Sequence, residues 1–130
     1  MGMAETTAAP APPDPFVEIS LSTWNGLNDA VRECDWIADG GDPTATSAER
    51  NTANVKQAEY DREQTRVMQR LTAYLAKQLS VHPPSSADLA QSKQMATQLA
   101  QMRDVNVKVS AVISAATALL NAYGNAAGKD

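Results

Sequence analysis

Leu71-Thr-Ala-Tyr-Leu-Ala-Lys-Gln-Leu-Ser-Val-His-Pro-Pro-Ser-Ser-Ala-Asp-Leu89 decides how this chain folds. Upstream, Tyr60, Gln64, Val67, Met68, Leu71, Tyr74, Leu75 and Leu79 recur with a period near 3.6, which predicts an amphipathic helix. Pro83-Pro84 must end that helix, because consecutive prolines remove two backbone donors and clash with the preceding turn. Ser85-x-x-Asp88 then restarts one, in the manner of a capping box. Thr46-Ser47-Ala48-Glu49 is a full T-x-x-E capping box, so the first of these helices spans about 47–80. Beyond the prolines, Leu89, Met95, Ala96, Leu99, Met102, Val109, Val112, Ile113, Ala116, Leu119, Leu120 and Tyr123 form one stripe running to Gly124, a natural C′ residue, and predict a helix over 86–123.

Two long helices joined by the tight Val81–Ser85 turn predict an antiparallel αα-hairpin. Val105-Asn-Val-Lys-Val109 interrupts this reading, since alternating β-branched residues are a strand pattern. Helix is still expected there, because alanine-rich sequence follows without a breaker and no second strand offers a partner; the functional alternative is a segment that changes conformation on assembly. An additional helix over about 23–38 has Ser22 as N-cap and Gly40-Gly41 as stop, with Trp24, Leu27, Val31, Cys34 and Ala38 on one face. Residues 1–15 read as a disordered leader, with Pro10, Pro12, Pro13 and Pro15 close together, and residues 125–130 as a flexible tail. The expected fold is therefore all-α: an antiparallel hairpin of two long helices plus an amino-terminal helix, forming a single helical domain over 16–124.

Composition narrows the function classes. Among 130 residues there are one Phe, two Trp and three Tyr, so the core must be aliphatic. The net charge of −4 conceals an asymmetry: residues 1–50 hold two basic and nine acidic side chains, residues 51–130 nine and six. With a sequence pI of about 4.9 and no Lys/Arg cluster interleaved with aromatics, nucleic acid is not an expected partner. No apolar run approaches the roughly 20 residues of a membrane span, and the amino terminus lacks a Sec signal pattern. The expected location is cytoplasmic, or secreted without a cleaved signal.

Catalytic groups are sparse. His82 is the sole histidine and lies in the proline turn, and Cys34 is the sole cysteine and lies on an apolar stripe with no basic group spaced to activate it. Neither a phosphate loop nor a metal-binding motif occurs. The reading is a non-enzyme without cofactor or metal that binds other proteins, including copies of itself. Leu99, Met102, Val109, Val112, Ile113, Leu119 and Leu120 are the candidate interface, because a two-helix hairpin covers such a seam only in part. Arg62, Arg66 and Arg70, four residues apart, form a basic row that reads either as a solvated face neutralised by Glu59, Asp61 and Glu63 or as a docking surface for an acidic partner.

From about Gln64 to Leu120 the chain resembles the needle and inner-rod subunits of bacterial type III secretion systems. The resemblance rests on Leu75-Ala-Lys-Gln-Leu79, His82-Pro-Pro-Ser-Ser-Ala-Asp-Leu89 and Val107-Lys-Val-Ser-Ala-Val-Ile113, set in a helix, proline turn, helix order. The family's turn is Asn-Pro-x-x-Pro, and here the chain departs from it, as it does in carrying an extra acidic helix and a polar tail. The resemblance implies a virulence-associated subunit exported unfolded and polymerised through its carboxyl-terminal helix. A cytosolic secretion chaperone or regulator, or a phage structural protein, would use the same seam to hold a helical partner.

Overall fold

A computed structural model describes residues 14–102 and 107–127. These form four helices: α1, Pro15–Ala38; α2, Ser47–Leu75; α3, Ser86–Gln101; and α4, Val109–Ala127. The all-α class follows, but the helix count differs from the three expected.

The first difference is at the start. Helix α1 opens at Pro15, eight residues before the expected Thr23, because Asp14-Pro15 is an N-cap followed by an N1 proline. The Asp14 carboxylate accepts from the backbone N–H of Phe16 at 2.9 Å and of Val17 at 3.4 Å. Ser22, the expected cap, is instead inside the helix. The rest of the leader, residues 1–13, lies outside the described residues. At the other end Gly40 takes the left-handed conformation (φ 88°), and Gly40 N–H donates to the Ile37 carbonyl and Gly41 N–H to the Trp36 carbonyl, closing α1 with a Schellman motif.

Helix α2 starts where expected. Thr46 Oγ1 accepts from Glu49 N–H at 3.0 Å, and Glu49 Oε1 accepts from Thr46 N–H at 2.8 Å. It ends at Leu75, well before the prolines, through a second Schellman motif in which Lys77 supplies the left-handed residue (φ 62°). The reason is packing. Tyr74 hydroxyl donates to Asp14 Oδ2 at 2.6 Å, so the end of α2 lies level with the beginning of α1. A longer α2 would run past the helix that supports it. Residues 78–85 instead form a connector without regular secondary structure, in which His82 N–H donates to the Ala126 carbonyl of α4.

The expected helix over 86–123 is two helices. Val107 and Lys108 are non-helical and α4 begins at Val109; residues 103–106, including Val105 and Asn106 of the Val105–Val109 alternation, lie outside the described residues. Alternating β-branched residues favour helix weakly, and a break here lets α4 fold back along α3. The pairing is antiparallel: Gln91 Nε2 donates to the Ala118 carbonyl and Asn125 Nδ2 to Asp88 Oδ1. Gly124 does not end α4, which continues to Ala127.

Helix α1 is the hub. It packs against α2, α3 and α4, whereas α2 and α3 barely touch although they flank the proline connector. Its buried positions Phe16, Ile19, Ser20, Thr23, Gly26, Leu27, Ala30, Glu33, Cys34 and Ile37 cover far more than one stripe. Parallel to it, α3 is held by Ser92 Oγ donating to Ser22 Oγ at 2.9 Å and by Lys93 Nζ on Glu18 Oε1 at 2.6 Å. Small residues bring the backbones together at Gly26. A Cβ built there would lie 2.5 Å from Leu119 Cδ2 and 3.3 Å from the Ala96 Cα.

Two substitutions test this packing. Gly26→Ala gains about 1 kcal/mol of helix propensity, but overpacking costs roughly 1–3 kcal/mol and the Ala96 backbone cannot rotate away. Chemical denaturation should show a net loss of stability; a gain would mean that the helices do not cross at Gly26. Lys77→Gly relieves a left-handed non-glycine residue, which costs about 1–2 kcal/mol, and loses somewhat less through unfolded-state entropy. A small net gain, on the order of 0.5 kcal/mol, is expected in the same assay.

Candidate functional site: the open seam between α1 and α2

The sequence-derived interface residues fall mainly inside the chain's own core. Leu99, Met102, Val109, Val112 and Leu119 are buried, and Ile113 and Leu120 are partly buried against them. The cause is the reversal before α4, which turns the stripe onto α1 and α3. The basic row runs along the exposed side of α2. A four-residue step turns about 40° around a helix, so the three arginines wind across α2. Arg62 is exposed, Arg66 Nη1 pairs with Glu63 Oε2 at 2.8 Å, and Arg70 reaches towards Tyr123 of α4.

Titratable groups do not converge either. His82 is exposed in the connector. Cys34 is fully buried, and burial, reinforced by the Glu33 carboxylate, pushes its thiol up to about 11 against the opposing pull of Lys56. Tyr60 beside it is pushed up by burial and then by Cys34 and Glu59, and its hydroxyl makes no hydrogen bond among the described residues. Burial also raises Tyr123, against the pull of Arg70 and the adjacent Ser20 hydroxyl; these two hydroxyls do not meet hydrogen-bond geometry. Among the described residues no group of three or more His, Cys, Asp or Glu is placed to hold a metal ion, and no helix is long and apolar enough to cross a membrane.

What the fold leaves open is the outer seam of the antiparallel α1/α2 pair. Gln64 fixes it from below: buried on α2, it donates from Nε2 to the Trp24 carbonyl and to Asn28 Oδ1, each at 3.4 Å. Above it is a groove lined by Trp24, Asp61, Gln64, Thr65, Met68, Gln69 and Thr72. Leu21, three residues before Trp24, and Leu75, seven after Met68, extend the apolar part by helical spacing. Leu21, Met68 and Leu75 are 46, 36 and 62% exposed, which is high for side chains that gain by burial. Further along the same seam Gln57 Nε2 donates to Asp35 Oδ1 at 3.2 Å, and Ala38, Asp39, Arg50 and Asn54 line its far end.

Sequence periodicity placed Trp24 and Met68 on core-facing stripes and missed this seam. Leu21 was an available signal: it stands apart from the Leu27–Cys34 face, and a large apolar residue off the core stripe marks a second face. No protein-family model, curated protein or solved structure matches this chain.

A thiol-reactive chromophore checks the burial of Cys34. Reaction should be negligible on native protein at neutral pH and become fast only as denaturant unfolds the chain, because both the thiolate fraction and access are suppressed. Rapid labelling of the native state would contradict the packing of α1 on α2.

Proposed function

We propose that this chain is a non-enzymatic interaction module that holds a helix of another protein along the α1/α2 seam. The observation that carries the reading is the row of exposed Leu21, Met68 and Leu75 beside partly buried Trp24, displayed on two helices packed on the core. Two side-by-side helix ridges with a shallow groove between them suit an amphipathic helix that inserts anchors at i, i+3 or i+4 and i+7. A chaperone or regulator works in this way. Polymerisation through the carboxyl-terminal helix, as the needle and rod resemblance implies, would first require Val109, Val112 and Leu119 to leave the core, so the holding role is the better supported one.

Site-specific photo-crosslinking in the cells that produce the protein tests the proposal. A benzoylphenylalanine at Met68 should give one discrete protein adduct, lost when Trp24→Asp is added. The same probe at exposed Thr97 on α3 should give none. Equal adducts at both positions, or none at Met68, would refute the reading.

A further inference from the structure

Packing requires glycine at position 26, and that glycine sets the chemistry open to the residue before it. A side chain at 26 would meet Leu119 Cδ2 and the Ala96 backbone. Asn25 precedes it, exposed in the middle of α1, and Asn25-Gly26 is the only Asn-Gly pair in the chain. In such a pair the glycine backbone nitrogen can attack the asparagine side-chain carbonyl carbon, because no Cβ shields the nitrogen and the backbone turns freely. A bond forms between the Gly26 nitrogen and Asn25 Cγ, and the side-chain nitrogen leaves as ammonia. Water then opens the cyclic succinimide at one carbonyl or the other, giving aspartate or isoaspartate. The fold blocks the first step. Attack needs Asn25 in an extended conformation, whereas helical ψ turns Cγ away and the Gly26 N–H is committed to a carbonyl of the preceding turn. Opening α1 at this point means separating it from α3 and α4.

We infer that Asn25 is a fold-gated modification site: inert in the native chain, converted to aspartate and isoaspartate when the chain stays unfolded, and barring return to the native fold once it is isoaspartate. The isoaspartyl linkage routes the main chain through the side chain and lengthens it by one carbon. Leu27, Ala30, Cys34 and Ile37 then lose helical register with Phe16, Ile19 and Thr23, although both groups are buried from the same helix. Aspartate adds only a charge to an exposed position and keeps the register. Prolonged unfolding therefore becomes irreversible through a covalent change at the hub of the bundle.

Incubating the full chain under reducing, mildly alkaline conditions, with and without unfolding guanidinium chloride, tests this. The tryptic peptide ending at Arg32 carries Asn25 apart from Asp39-Gly40, fragmentation separates Asn25 from Asn28, and synthetic standards distinguish aspartate from isoaspartate. Asn25 should convert at least about 1,000-fold faster in the unfolded arm than in the native one. After the denaturant is diluted out, size exclusion should leave isoaspartate in the non-native fraction, while aspartate and unchanged chains return to native circular dichroism. Asn25→Gln, whose longer side chain closes the ring far more slowly, should refold in full after the same incubation, and freshly made Asn25→Asp should refold as well. Native-arm conversion within about ten-fold of the unfolded arm would overturn the gating. Isoaspartate equally abundant in the refolded fraction, no conversion in the unfolded arm, or the same loss of refolding in Asn25→Gln would each overturn the inference.

Discussion

The close approach of α1 to the α3 backbone and to the Leu119 side chain of α4 at Gly26 is the constraint on which the rest of the structure depends. A side chain there would meet Leu119 of α4 and the Ala96 backbone of α3, so only glycine lets α1 lie deep between its neighbours. Ser22, Thr23 and Ser92 continue the same tight interface with small side chains and a short hydroxyl ladder, Thr23 Oγ1 and Ser92 Oγ lying 3.5 Å apart. Dispersion energy rises steeply with such proximity. With α1 in this position its buried surface wraps most of the helix, and the three other helices are arranged around it. The two longer-range bonds at the bundle end, Tyr74 to Asp14 and His82 N–H to Ala126, follow from that arrangement. The Tyr74 bond also holds the Asp14 carboxyl below its usual range, as a charge-accepting cap should be.

Much of the fold was legible in the sequence where a local rule acts alone. The Thr46/Glu49 box, the Ser85 cap and the Gly40 stop each satisfy orphan backbone groups without help from distant residues, and each is where the pattern put it. The all-helical class follows from the same periodicities. What was not legible depended on tertiary support. Asp14-Pro15 is a strong start signal, but it sits at the edge of a proline-rich stretch and is recognisable only once Phe16, Ile19 and Ser20 are seen to be buried. The end of α2 at Leu75 comes from the length of α1, not from any breaker, since Lys77 adopts a conformation that its own chemistry disfavours. The reversal before α4 was signalled by the Val105–Val109 alternation, but a pattern of that type does not say whether the chain bends or extends.

The site shows the same division. Stripe analysis found the residues that want burial, and it took them for an intermolecular surface because it paired the wrong helices: with α2 and α3 as a hairpin, Val112 and Leu119 would lack cover, whereas around α1 they have it. Exposure then shifts to the outer side of α1 and α2. The acidic bias of the first 50 residues acquires a location there, since Asp35 and Asp39 lie along the seam together with Asp61 of α2.

The central claim is that α1 is the structural hub, and native-state amide hydrogen exchange tests it most directly. Amides in the middle of α1, from Ile19 to Ala30, should exchange only through global unfolding, with opening free energies equal to that from denaturant melts, because three helices must separate to expose them. Those of the outer turns of α2 should open more readily. If the centre of α1 exchanges faster than α2 or α3 through local opening, α1 is a peripheral element and the hub arrangement is wrong.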